Sequence, residues 1–138
     1  MKLIRNISSC LILTLFCSFA HAQLYKISLD QKIDKASVIA EGKVTEQHSF
    51  WNAQHTMIYT SSTLRISKVF KGRIITKQIE LVTQGGSIGN RSLVVSDMLQ
   101  LHKDDAGMFF CAENLLQIHS PVTGDLLYDV YSSDQGFL

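Results

Sequence analysis

Residues 38–66 read VIAEGKVTEQHSFWNAQHTMIYTSSTLRI. In the first part, Val38, Ala40, Gly42 and Val44 alternate with Ile39, Glu41, Lys43 and Thr45. A period of two puts alternate side chains on opposite faces, so this is a strand, and Gly42 inside it marks a bend or bulge. In the last part, Ile58, Thr60, Ser62, Leu64 and Ile66 alternate with Tyr59, Ser61, Thr63 and Arg65. That is a second long strand, rich in β-branched residues. The stretch between them becomes the connection of a hairpin. It holds Phe50 and Trp51, the one tryptophan of the chain, flanked by His48 and His55.

Working outward, the period stays near two. Val69-Phe70 continues the second strand, and Lys71-Gly72-Arg73 breaks it. Residues 78–83 form a third strand that Gly85-Gly86 ends, and 93–95 a shorter fourth. Asp104-Asp105-Ala106-Gly107 is a turn. Residues 108–112, MFFCA, are apolar on both faces and read as a central strand. Leu115 to Ile118 and Leu126 to Tyr131 flank Pro121-Val122-Thr123-Gly124-Asp125, a predicted hairpin. Upstream, Ser28 and Gln31 have capping-box spacing, and Leu29, Ile33 and Ala36 share a helical face. A short helix over 29–36 follows, with Asp30 suited to its N-terminal dipole. The fold class is all-β: a closed or partly open barrel of five to six strands with one short N-terminal helix.

The N-terminus carries a different signal. Lys2 and Arg5 precede an apolar run from Ile7 to Phe19, and Ala20-His21-Ala22 has small residues where a signal peptidase reads. This is the order of a secretory signal peptide over 1–22, too short for a span of about 20 apolar residues. The chain is expected to be exported to the periplasm, the cell surface or beyond. Residues 23–138 then make a single β-barrel-like domain, expected to be the first domain of a longer chain. No membrane insertion is expected after cleavage.

Charge excludes some partners. Thirteen Lys and Arg stand against twelve Asp and Glu, and removal of Lys2 and Arg5 leaves the domain near neutral. No basic run exists to hold nucleic acid or an anionic membrane. Of three cysteines, Cys10 and Cys17 leave with the signal peptide. Cys111 then stands alone in an apolar run, a buried small hydrophobe rather than half of a disulfide or a reactive thiol.

Zinc needs three or four ligands. His48 and His55 would lie about 23 Å apart on one extended strand, at about 3.3 Å per residue. A reversal at Phe50–Gln54 brings together at most two, so no metal site is expected. Gly85-Gly86-Ser87-Ile88-Gly89 follows a strand but lacks the helix and the Lys-Ser/Thr pair of a phosphate loop. No catalytic set and no cofactor is expected. The candidate contact loop is His48, Phe50, Trp51, Asn52 and His55, because aromatic residues at a loop tip either pack on the barrel or anchor a partner.

The segments ASVIAEGKV (36–44), ISKVFKG (66–72), IELVT (79–83) and LHKDDAGMFF (101–110), with TQGG (83–86) and QGF (135–137), resemble the N-terminal region of large secreted bacterial proteins that carry a C-terminal type IX secretion sorting domain. The likeness covers the chain from about residue 24. The same skeleton is similar, more distantly, to the netrin-like domains of tissue metalloproteinase inhibitors, which fold as OB-like barrels. That likeness implies a closed barrel with a helix packed on it. It does not bring the inhibitor mechanism, which uses an N-terminal cysteine where the mature chain is expected to start at Gln23. The reading that follows is a non-catalytic recognition domain for a protein, a surface glycan or other domains of the parent chain. The alternative is a netrin-like or propeptide-like regulator of a secreted hydrolase.

Overall fold

The computed structural model describes residues 26–138; the predicted signal peptide lies outside them. Among the described residues, seven strands follow one helix: α1 Leu29–Lys35, β1 Val38–Trp51, β2 Ile58–Lys71, β3 Gln78–Gln84, β4 Gly86–Ile88, β5 Arg91–Leu93, β6 Ala106–Glu113 and β7 Tyr128–Val130. A 3₁₀ turn over Ser133–Gly136 precedes the last two residues. Five strands close a barrel in the order β1-β2-β3-β7-β6, and β6 returns to β1. Every pairing around it is antiparallel except β3 with β7. β4 and β5 form a separate two-stranded hairpin. No helix among the described residues is long and apolar enough to cross a membrane.

The alternation in β1 and β2 sorts side chains between the barrel interior and its outer surface. Val44 and Leu64 face each other across the register and are fully buried. They join Val38, Ala40, Leu81, Phe109, Cys111 and Val130 in one core. Gly42 sits at a register shift, as a bulge glycine should. A Cβ there would lie 2.5 Å from the Arg65 carbonyl oxygen, so no larger residue fits without moving β2.

The doubly apolar segment has a simple cause. Phe109 and Cys111 point into the barrel. Phe110 points outward, into a second cluster with Ala36 and Ile39 beneath α1. Desolvation pushes the Cys111 thiol up to about 12, which keeps it an inert core group.

Ser28 caps α1 with both bonds of the capping box. The buried face of α1 differs from expectation. Leu29 and Ile33 are 54% and 44% exposed, while Lys32 is buried. Lys32 lays its aliphatic stem on the barrel, with its ammonium 5.9 Å from the Phe110 ring centroid. A periodicity count that scores lysine as polar misses that face. Lys71 caps the other end, donating to the Ile33 and Asp34 carbonyls at 2.6 and 3.0 Å.

Two other expectations are corrected. The short strand at 93–95 is instead β5, Arg91–Leu93, paired with β4 outside the barrel. The glycine stretch thus leads into a strand. Gly86, at φ 131°, lets β4 approach Thr60 and Ser49 where a side chain would collide. Residues 115–118 make no strand. The expected hairpin reduces to one bridge, His119 with Leu126, and β7 pairs with β6 and β3 instead.

Candidate functional site

The β1–β2 hairpin extends past the barrel, and its register places each residue of the predicted contact loop. His48 opposes Ser61, Phe50 opposes Tyr59 and Trp51 opposes Ile58. Neighbours on a strand face opposite ways, so Phe50 and Trp51 do not form one tip. Phe50 lies on the outer face, its ring 6.1 Å from that of Tyr59. Trp51 lies on the other face, 6.0 Å from the His55 ring and 5.9 Å from the Arg91 guanidinium of β5. Both aromatics are half-buried, and His48 and His55 are exposed.

Asn52 makes the turn. Its side-chain oxygen accepts from Thr56 N–H at 2.8 Å and Met57 N–H at 3.0 Å. The left-handed residue is His55, at φ 54°, not the asparagine. The reversal therefore rests on the short polar side chain of Asn52 mimicking backbone. Among the described residues, no group of three or more His, Cys, Asp and Glu could hold a metal ion.

The barrel's outer face carries a continuous row. His48 opposes Ser61, Ser61 opposes Val82, Val82 opposes Asp129 and Asp129 opposes Ala112. The loop between β6 and β7 arches over this row and leaves a depression on each side.

The first is polar, about 340 Å³, and includes Glu46, His48, Thr63, Arg65, Glu80 and Thr123 among its walls. Glu80 pins the arch to the sheet. One carboxylate oxygen accepts from the Thr123 hydroxyl at 2.9 Å, and the other accepts from the buried Ser61 hydroxyl.

The second depression is an apolar groove of about 300 Å³. Tyr59 and Val82 line it from the sheet, Leu115, Leu116 and Ile118 from the loop, and Tyr131 from the segment after β7. Of the predicted contact loop, none of the five residues lines this groove; Phe50 meets the ring of Tyr59, which does. Leu115 and Leu116 are 88% and 63% exposed. Their position is set by Asn114, which is fully buried and accepts the Leu116 N–H at 2.9 Å. Gln117, Ser132 and Ser133, around the same groove, take positive φ angles that non-glycine residues seldom adopt. Such local strain clusters where surfaces are shaped for a task.

Asp129 stands half-buried in this groove. Desolvation raises its pKa, and the hydrogen bond from the Leu115 N–H opposes that shift. A raised carboxyl pKa means that folding favours the protonated form. The contribution of this group to stability is then greatest below the ordinary value of 3.8 and falls as pH rises through the window just above it. Asp129→Asn removes the desolvated charge and keeps an acceptor for Leu115. It is expected to raise the urea midpoint at neutral pH and to flatten that acidic pH dependence. A lower midpoint at neutral pH would contradict this.

The sequence singled out the hairpin and missed the groove. Its walls come from β2, β3, β6 and β7 and from a loop read as a strand. The one available signal was the apolar pair Leu115-Leu116 directly after Asn114. No protein-family model, curated protein or solved structure matches this chain.

Proposed function

We propose that this chain is a non-catalytic, exported recognition domain, the N-terminal module of a larger exported protein, and that its barrel is OB-like. The apolar groove between Tyr59 and Leu116 carries this reading. Pockets of that size, mostly apolar with one or two placed polar groups, are the usual form of a binding site. Leaving Leu115 and Leu116 in water beside it is unfavourable for a domain with no partner. The barrel order, with a single parallel closure between β3 and β7, supports the OB-like assignment. The partner class is a protein, either another part of the parent chain or a cell-surface protein.

The test uses the chain from Gln23 immobilised on a resin. It is challenged with exported and cell-surface proteins, and separately with the downstream part of the parent protein. Retention of a defined partner, released by Leu115→Asp with Leu116→Asp, supports the reading. No retention from any of these sources, or retention indifferent to the double substitution, overturns it.

A further inference from the structure

The groove has a charge and an edge as well as an apolar wall. The charged residues that line it are Glu113 and Asp129, both acidic. Its partner therefore gains from a cation placed among apolar groups, because a partly desolvated carboxylate is costlier alone than opposite a counter-charge.

The edge follows from the ladder. Gly85 donates its N–H to the Ile58 carbonyl at 2.8 Å. In an antiparallel pair the backbone groups alternate sides, so Gln84 turns its N–H and C=O away from β2. On that side the pairing with β7 ends at Val82 and Asp129. Beyond it, Gln84 lines the groove. An extended segment laid there can bond the Gln84 backbone as an added strand. Its alternate side chains then meet Tyr59 and Leu116, and one of them reaches Asp129.

We propose that the groove binds an extended peptide segment of a partner protein, added at the Gln84 edge of β3, with a lysine or arginine against Asp129 and apolar residues on either side. This deepens the recognition reading above and rests on it.

The test titrates the chain from Gln23, labelled for backbone amide NMR, with short peptides of alternating apolar residues. These peptides carry a central Lys, Gln or Glu. The expected result is that the Lys peptide shifts the Gln84, Leu116 and Asp129 amides and binds about tenfold or more tighter than the Glu peptide. Asp129→Asn should abolish the difference while the fold is kept or strengthened, a combination that a purely structural Asp129 would not produce. Leu116→Asp should weaken all three peptides.

Equal affinity for Lys and Glu peptides overturns the proposal, as do shifts confined to the polar depression around His48 and Thr63. If none of the peptides binds while the resin still captures a partner dependent on Leu115 and Leu116, the peptide inference fails and the recognition reading stands. If that capture fails too, both fall. Self-association through this face would show as concentration-dependent shifts without peptide, and it overturns the assignment to a partner segment.

Discussion

Phe109→Ala is expected to lower the unfolding free energy by about 3–5 kcal/mol, against a total of about 5–15 kcal/mol for a domain of this kind. Phe109 is fully buried on β6. It opposes Ala40 of β1 and bridges to Phe137. The two phenyl rings stack with centroids 4.7 Å apart. The last residues are therefore part of the closure. Met108 and Leu138 exchange two backbone hydrogen bonds, at 2.7 and 3.0 Å, beside that stack. Removing the Phe109 ring leaves a void inside a closed barrel, whose hydrogen-bonded walls cannot collapse to fill it.

Phe110→Ala supplies the contrast. That ring is equally buried but lies outside the barrel, under α1. A seven-residue helix held by one capping box and a few apolar contacts can settle into the space. Its substitution should cost visibly less, because the penalty depends on how far the site can relax. Denaturant midpoints with unchanged slopes measure both. Equal losses for the two phenylalanines would contradict the assignment of Phe109 to the interior.

The contrast shows what a sequence can carry. A run apolar on both faces marks a strand covered on both sides, and the sequence marks β6 in that way without naming the covers. The inner cover is the barrel core that β1, β2, β3 and β7 supply through Val38, Val44, Leu64, Leu81 and Val130; the outer cover is Ala36 at the end of the helix, with Ile39. β1 was legible to Thr45, where apolar alternation stops. It runs on to Trp51 because Gln47 and Ser49 find polar partners inside the hairpin. The Gln47 amide donates to Ser62 and to the Leu101 carbonyl at 3.0 and 2.7 Å, and the Ser49 and Thr60 hydroxyls pair at 2.9 Å. Hydrogen-bonded polar faces are satisfied faces, and hydrophobic periodicity does not register them.

The parallel closure was illegible for another reason. Leu81 and Val82 pair with Tyr128 and Asp129 across more than forty residues, and nothing local in either segment specifies that register. The groove inherits this. Val82 and Asp129 become neighbours only when the closure forms.

Asn114→Ala should cost about 1–3 kcal/mol of stability and, with it, most of the groove's binding capacity. Asn114 is wholly buried at the exit of β6. Its side-chain oxygen holds the Leu116 N–H, its amide reaches the Ile118 carbonyl at 3.4 Å, and its carbonyl takes Gln117 N–H at 3.1 Å. These bonds fold 115–118 back on itself where a strand was expected, and they present Leu115 and Leu116 to the groove. Alanine removes the acceptor and strands a donor, so the loop loses the geometry that shapes the wall. Leu116→Ala, by contrast, trims the wall and leaves its support. Its expected stability loss is small because the side chain is mostly exposed. Binding that falls further for Asn114→Ala than for Leu116→Ala, measured at a temperature where both variants are fully folded, identifies the asparagine as the residue that builds the wall. Asn114→Asp separates shape from charge. It keeps the acceptor but buries a carboxylate, which folding will hold protonated. Its stability should be present in acid and be lost as pH rises through its elevated folded pKa, the reverse of an ordinary paired carboxylate. A variant equally stable across that range would mean that position 114 is wetter than its burial indicates, and the groove wall would then have to be held by something other than this side chain.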